Sequence, residues 1–226
     1  MAKRSIFKPI GKILKLLFLL LIIATFAILI WRMNLSNDPR QMKNLTPNDT
    51  LQNAYAENGG NLTAFTQKHI TVTKDLNCYG YFAVGKIVFI PEANQVQVIF
   101  RYNNATIKHL KEDYKVDPLP DRKEEIYDLS LVVSVFNSEA KDEKDVTKER
   151  ISPTSVEAES NMLYNFRKFI FDGVRMDESV CNICLDVYYV GAIDYDSTAY
   201  GTLLIYDYIT PRDEYLLSRK EKKSLR

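Results

Sequence analysis

The sequence is poor in the residues and motifs that most catalytic and metal centres use. It has only two histidines, His69 and His109, and it contains no G-x-S-x-G nucleophile elbow, no H-E-x-x-H zinc motif and no phosphate-binding P-loop. These absences remove the common signatures of serine hydrolases, metalloproteases and nucleotide-dependent enzymes. We therefore expect no catalytic residue, no metal ion and no cofactor, and a protein that is not an enzyme.

Cysteine is also scarce, with copies at Cys78, Cys181 and Cys184 only. Three cysteines can form at most one disulfide and leave one thiol over, so a fold held by several disulfides is excluded. Cys181 and Cys184 form a C-x-x-C pair, which is redox-active where its first cysteine begins a helix. Because the residues after Cys184 predict a strand, we interpret the three cysteines as structural or disulfide-linked thiols. A redox centre and a metal site are the alternatives.

Clustered basic residues are lacking through most of the chain. Residues 1–32 carry six cations and no acid, and the last eight residues carry five cations and one acid. The region between them has nineteen basic and twenty-eight acidic residues. Since nucleic-acid binding needs clustered Lys and Arg, we expect no nucleic-acid partner. The C-terminal basic run predicts either a solvated helix or a contact with anionic lipid or polymer.

One long apolar run lies near the N-terminus. Residues 13–31 contain Lys15 as their only charge, and this length is sufficient to cross the hydrocarbon core of a bilayer. The cations before the run place residues 1–12 in the cytoplasm and the rest of the chain beyond the membrane. A cleaved signal peptide is the alternative, but the run continues past Ala27 to Trp31. We predict an uncleaved signal-anchor that makes the bilayer the first partner of a single-pass cell-membrane protein.

From residue 69 onward the hydrophobic pattern has a period of two. Residues 81–90 and 95–102 flank a four-residue turn and predict a hairpin, in which Val96, Val98, Phe100 and Tyr102 share one face. Further strands are predicted at 70–73, 127–136, 163–171, 184–190 and 202–207. Seven or eight such strands without long helices between them predict an all-β fold, an immunoglobulin-like antiparallel β-sandwich that spans residues 69–209.

Short helices and polar segments are expected around the sandwich. Residues 32–68 predict a stalk with one helix, which Thr46 caps, Pro47 begins and Gly59-Gly60 end. Residues 138–149 are rich in charge of both signs and predict a solvated loop. Residues 210–226 predict a basic helix or tail, with the helix beginning at Pro211.

Tyrosine is unusually frequent, with fourteen copies. Tyr188, Tyr206 and Tyr208 lie in or next to predicted strands. Tyrosine suits both the faces of a sheet and binding surfaces, because its ring is amphipathic and costs little entropy to order. Two interpretations stay open: these rings cover the sheet faces, or Tyr188 with Tyr206 or Tyr208 forms an exposed aromatic patch that binds a partner.

Five N-x-S/T sequons occur, and all lie after the apolar run, at Asn34, Asn44, Asn48, Asn61 and Asn104. In a eukaryote they predict a glycosylated stalk on the lumenal side of a type II membrane protein. In a bacterium they carry no such meaning.

Three segments carry a resemblance to a known group of proteins: Asn37–Lys43, Leu51–Tyr55, and Ile87–Asn104 with its Val-Gln-Val-Ile-Phe-Arg-Tyr core. Together they resemble uncharacterised single-pass membrane-anchored proteins of Gram-positive anaerobic bacteria. The resemblance implies a bacterial source and a domain outside the cytoplasm, and it implies no activity. We therefore expect a protein- or envelope-binding module on a membrane anchor, with an extracytoplasmic enzyme or thiol-redox factor as the alternative.

Overall fold

The computed structural model describes residues 7–37, 42–67, 71–72, 82–103, 106, 108, 112, 126–137, 146–160, 164–189 and 201–226. The described residues divide into two compact units, one that precedes Arg40 and one that begins at Met42. Cys78, His69 and His109 lie outside the described residues.

The first unit is a single helix, α1 (Phe7–Asn37). Its central segment Gly11–Trp31 has 21 residues, a mean hydropathy of 3.0 and no buried part. The helix predicted for residues 13–31 is confirmed, and it is long and apolar enough to span a membrane.

The described part of the second unit includes eleven strands and the short helices α2 (Asp49–Glu57) and α3 (Arg219–Ser224). The strands, in chain order, are β1 (Phe65–Gln67), β2 (Thr71–Val72), β3 (Phe82–Ile90), β4 (Gln95–Tyr102), β5 (Tyr127–Phe136), β6 (Val146–Ile151), β7 (Ser155–Ser160), β8 (Asn165–Asp172), β9 (Val180–Tyr189), β10 (Gly201–Asp207) and β11 (Arg212–Glu214).

All strand pairs are antiparallel and form two sheets. The six-stranded sheet has the order β11-β1-β3-β4-β8-β7, and the five-stranded sheet has the order β2-β10-β9-β5-β6. The eight longest strands, β3 to β10, can be lettered A, B, C, C′, D, E, F and G along the chain. The sheets then have the orders A-B-E-D and G-F-C-C′, which is the immunoglobulin arrangement with strand C′ added. The predicted antiparallel sandwich is confirmed, and the described residues form eleven strands in it.

The core lies between the sheets, where alternate residues of the strands meet. Val96, Val98, Phe100 and Tyr102 are almost completely buried there, so the face predicted from their spacing is confirmed. The facing sheet contributes a row from β5 and β9, in which the ring centroid of Tyr127 lies 5.2 Å from that of Phe100. These edge-to-face aromatic contacts fill the centre of the sandwich.

The predicted hairpin is present as β3 and β4, which pair from Phe82–Tyr102 to Ile90–Gln95. A short 3-10 turn, Pro91–Ala93, joins them and ends at Asn94, whose φ of 45° lies in the left-handed region. Asparagine tolerates this conformation better than most residues, which explains why the chain can reverse here without glycine.

The prediction of a solvated loop at 138–149 is wrong from residue 146 onward. Val146–Ile151 forms β6 along the edge of the five-stranded sheet, and Ser155–Ser160 forms β7 along the edge of the other. Both strands are mostly exposed, so they lack the apolar alternation that marks a half-buried strand. Charged residues on edge strands also prevent pairing with other chains, which explains their composition.

Both predicted helix starts are wrong. Asn48, and not Thr46, caps α2, because its side-chain oxygen accepts from the Leu51 amide at 3.0 Å. No helix begins at Pro211: Arg212–Glu214 pairs with β1, and the helix starts after Ser218. Thr210, the residue before Pro211, donates its hydroxyl to the Asp207 carboxylate at 2.6 Å.

Candidate functional site

The two described cysteines lie on β9 and not at the start of a helix. The Cys181 thiol is buried and donates to the Ser134 carbonyl at 3.2 Å, at a bulge where β9 pairs with β5. Cys184 pairs with Val132 and Leu204, on the outer face of the five-stranded sheet. Residues three apart on a strand are separated by about 10 Å, beyond the reach of a disulfide. Both thiols are accordingly free.

The environment of these thiols opposes thiolate formation. Burial raises the pKa of Cys181 and is also the largest effect that raises the pKa of Cys184, to which the nearby Asp186 carboxylate adds. A redox-active thiol needs the opposite, a pKa lowered by a helix N-terminus or a cation. The described part of the chain also holds no group of three or more His, Cys, Asp or Glu side chains suited to a metal ion.

The three candidate tyrosines do not lie in one exposed patch. Tyr206 faces the core with 3% exposure, and its ring lies 6.1 Å from Phe65 and 5.6 Å from Phe89. Tyr188 is also only 3% exposed, but it lies on the outer face of the five-stranded sheet. Tyr208 is 51% exposed and packs edge-to-face against Phe136 at 5.7 Å, near the end of β5.

Tyr188 belongs to a polar group that the sequence did not single out, and which we call the Arg150 cluster. Its members are Arg150, Asp186, Tyr188 and Thr202, brought together from β6, β9 and β10. Arg150 donates a hydrogen bond to the Tyr188 hydroxyl, and its guanidinium lies 3.5 Å from the Asp186 carboxylate. The Tyr188 hydroxyl donates to Asp186 at 3.2 Å, and the Thr202 hydroxyl donates to the same carboxylate at 2.7 Å. Three donors therefore converge on one buried acid.

The Arg150 cluster is joined by hydrogen bonds and remains reachable from solvent. The Asp186 side chain is 10% exposed, whereas that of Arg150 is 35% exposed. The guanidinium also lies 5.6 Å from the centre of the Tyr188 ring, within the range of a cation–π contact. Burial is the main cause of the raised pKa of Tyr188, so its hydroxyl stays protonated and able to donate. The arrangement holds the arginine side chain beside an aromatic ring at the edge of the sheet.

The outer face of the six-stranded sheet is built differently, because an apolar layer covers it. We call this layer the terminal cover; its buried members are Leu45, Leu51, Ala54, Tyr55, Ala64 and Leu225, which pack on Val88 and Ile90 of β3. The cover thus joins residues from before the first strand and after the last one. The predicted apolar stripe of α2, formed by Leu51, Ala54 and Tyr55, is confirmed as part of it.

Glu221 holds the two halves of the terminal cover together. Its side chain is only 1% exposed. One carboxylate oxygen accepts from the Leu45 amide at 2.7 Å and from the Tyr215 hydroxyl at 2.6 Å, and the other accepts from the Ser218 amide at 2.7 Å. Burial alone would raise the pKa of Glu221, but these hydrogen bonds outweigh it and keep the pKa below its usual value. Nothing in the sequence marks this residue apart from its place in a capping box after Ser218.

A second polar seam attaches residues 44–48 to the sheet. The amide of Thr46 donates to Gln97 at 2.9 Å, and the Gln97 side chain donates back to the Thr46 carbonyl at 2.9 Å. Lys168 donates to the Asn44 carbonyl, and Asn48 donates to Asp172 at 3.0 Å. Asn48 belongs to a sequon, but its side chain donates to Asp172 and accepts from the Leu51 amide. The side-chain amide of this asparagine is therefore used in structural hydrogen bonds.

Comparison with known proteins found no match: no family model, no curated protein and no solved structure matches the chain.

Proposed function

We propose that this chain is a membrane-anchored binding module without enzymatic activity, whose sandwich lies outside the cytoplasm and binds a protein or a component of the cell envelope. The observation that carries the proposal is the Arg150 cluster, on the outer face of the five-stranded sheet, opposite the sheet that carries the terminal cover. Arginine and tyrosine dominate the energetic centres of binding surfaces. Here their side chains are ordered before a partner arrives, which lowers the entropic cost of association.

The placement outside the cytoplasm rests on charge. Three cations precede the segment Gly11–Trp31 and two more, Lys12 and Lys15, lie at its start, and cytoplasmic flanks of membrane helices are rich in Lys and Arg. The resemblance to anchored proteins of Gram-positive anaerobic bacteria supports the same placement. A bacterial source and a partner in the envelope are part of this proposal.

Labelling of intact cells tests the orientation. In the full chain, Glu57→Cys introduces a thiol at an exposed position of α2, and Ser5→Cys introduces one before the membrane helix. We expect a membrane-impermeant maleimide to label the Glu57→Cys chain above the unsubstituted chain, and to label the Ser5→Cys chain only after lysis. The reverse pattern would place the sandwich in the cytoplasm.

Site-specific photocrosslinking in native membranes tests the binding face. A photoreactive amino acid at Lys148, which is exposed on β6 two residues from Arg150, is compared with one at Asn53, which is exposed on α2. We expect a discrete adduct from position 148 alone, and a loss of about tenfold in its yield with Arg150→Ala. Arg150→Lys keeps the charge but not the planar fork, so it should restore only part of the yield. Equal adducts from both positions, or an adduct indifferent to Arg150, would refute the assignment of this face.

A further inference from the structure

The C-terminal helix α3 carries a surface that the proposed function does not use. Arg219, Lys222, Lys223 and Arg226 line a concave pocket of about 640 Å³ together with Leu217. We call these five residues the basic surface. All four cationic side chains are exposed. The charged residues that line this pocket are therefore all positive. Concave surfaces with charge of one sign concentrate counter-ions.

The cations of the basic surface have no acidic partners among the residues that the structure describes. The one acid within residues 219–226 is Glu221, whose carboxylate is buried beneath the helix and accepts three hydrogen bonds. Glu221 therefore points into the protein, whereas the cationic side chains of this segment point toward solvent. Residues 219–226 therefore keep a net charge of +4, with the cations on the solvent side.

The backbone that presents the basic surface is firmly held. Ser218 and Glu221 form a reciprocal capping box, and Leu225 is 4% exposed in the terminal cover. Gln52 of α2 donates to the Ser224 carbonyl at 3.3 Å. A short helix of this kind would not be stable alone, so its order comes from these tertiary contacts. A ligand therefore finds the cations on an ordered backbone and does not have to order it.

An exposed apolar side chain lies two residues before Ser218, which caps α3. Leu216, next to Leu217 in the chain, is 75% exposed, one of the highest values for a large apolar residue of the sandwich unit. Cations beside an exposed leucine are typical of protein surfaces that lie at a membrane interface, where the apolar group enters the headgroup region. A soluble polyanion would not remove the apolar surface of this leucine from water.

The connection of α3 to the membrane anchor favours the same partner. Glu221 accepts from the amide of Leu45, which follows Trp31, the end of the apolar segment, by only fourteen residues. A chain of this length spans at most about 50 Å even when it is fully extended. Because this short tether keeps the basic surface near the bilayer, the effective concentration of lipid headgroups around it is high.

We propose that the basic surface binds the phosphate-bearing headgroups of anionic lipids in the membrane that holds α1. The four cations bind the phosphates, and Leu216 enters the interface beside them. The sandwich is then attached to its membrane at two places, through α1 and through α3. This proposal does not depend on which side of the membrane the sandwich occupies, nor on the Arg150 cluster.

Tryptophan fluorescence of the full chain in lipid nanodiscs tests the proposal. Trp31 is the single tryptophan of the sequence, so Trp31→Phe combined with Leu216→Trp places the only indole three residues before Arg219, the first cation of the basic surface. Discs contain a doxyl-labelled quencher lipid in either phosphatidylcholine alone or phosphatidylcholine with about 30% phosphatidylglycerol. We expect quenching in the anionic discs only, and its reversal between 0.05 and 0.5 M salt as screening increases.

A matched pair of double substitutions identifies the residues responsible. Lys222→Gln with Lys223→Gln removes two cations of the basic surface, and Lys108→Gln with Lys148→Gln removes two exposed cations elsewhere. We expect the first pair to lower the ratio of docked to free protein about 25-fold, fivefold per charge, and the second to leave it unchanged. All four substituted side chains are exposed, so unfolding temperatures should not differ.

Three results would overturn the proposal. Equal quenching in neutral and anionic discs would show that lipid charge is irrelevant, and quenching that survives Lys222→Gln with Lys223→Gln would show that the basic surface is not the contact. Absence of quenching in anionic discs, combined with a fluorescence response to soluble polyphosphate that requires Lys222 and Lys223, would assign the surface to a soluble polyanion.

Discussion

On the outer face of the six-stranded sheet, residues from before the first strand and after the last strand pack an apolar layer over Val88 and Ile90. On the outer face of the five-stranded sheet, an arginine, an acid, a tyrosine and a threonine form a polar group. Both faces belong to the same sandwich and both bury charged residues. They differ in what the buried charged residues bind: the ends of the unit on the first face, and other side chains on the second.

On the covered face, buried polar groups act as attachment points for the ends of the unit. Glu221, Gln97 and Lys168 each bind backbone groups of residues 44–46, so they replace the hydrogen bonds that this segment would make with water. On the other face, the polar groups bind one another and hold side chains that remain partly accessible. The first arrangement stabilises the unit, and the second presents a surface.

The largest effect is expected in the terminal cover. Leu51→Ala removes a completely buried side chain from α2 and should lower the free energy of unfolding by about 3 kcal/mol. Asn53→Ala on the exposed side of the same helix should change it by less than about 0.5 kcal/mol. Denaturant unfolding of the full chain in detergent micelles measures both values. Similar small losses for the two variants would show that α2 does not pack on the sheet.

Glu221→Gln should produce the next largest effect and one that depends on pH. At neutral pH the neutral amide accepts more weakly from Leu45 and Tyr215, and its NH₂ group faces donors, so we expect a loss of about 2 kcal/mol. The folded pKa of Glu221 is lowered, so its contribution is fully present above its ordinary value of 4.5 and is lost as the pH falls through the folded pKa.

The unfolding free energies of the two proteins should therefore converge as the pH is lowered from 6 to 3, because protonated Glu221 resembles glutamine. Glu57→Gln, at an exposed position of α2, serves as the control and should follow the unsubstituted chain at every pH. A difference that stays constant over this range would mean that the Glu221 carboxylate is not the stabilising species.

The smallest effect on stability is expected in the Arg150 cluster. Asp186→Asn keeps an acceptor for Thr202 but removes the charge opposite Arg150, whose side chain is partly hydrated. We expect a loss of about 1 kcal/mol, in the range of partly exposed ion pairs. The photocrosslink from position 148 should weaken more clearly, because Arg150 loses its fixed orientation. A loss of several kcal/mol without any change in crosslinking would show that the cluster serves stability alone.

Several features of the fold follow from local patterns alone. The alternation in Gln95–Tyr102 predicted the strand, its buried face and its hairpin partner, because one face of β4 lies entirely in the core. The same reasoning missed β6 and β7, whose side chains are mostly exposed at sheet edges, and began β9 at Cys184 although the strand starts at Val180. Periodicity reports burial on one face, so strands with little burial do not show it.

The candidate site was less accessible to sequence analysis than the fold. Tyr188 was identified by its type, but its partners Arg150 and Thr202 come from other strands and are far away in the chain. Thr46 looked like the cap of α2 because a proline follows it, whereas Asn48 takes that role through contacts with Asp172 and Gln95. A local motif offers several caps, and tertiary contacts select one of them.

The sequence by itself determined the apolar helix, the antiparallel sandwich and the separation of charge along the chain, because each depends on burial or hydration of consecutive or alternating residues. Only the tertiary structure decided which sheet face is covered and which charged residues are brought together. Glu221 shows the reason: its three hydrogen-bond donors come from Leu45, Tyr215 and Ser218, and the first lies at the opposite end of the unit. Spacing in a sequence cannot report a contact between residues that only folding brings within 3 Å of each other.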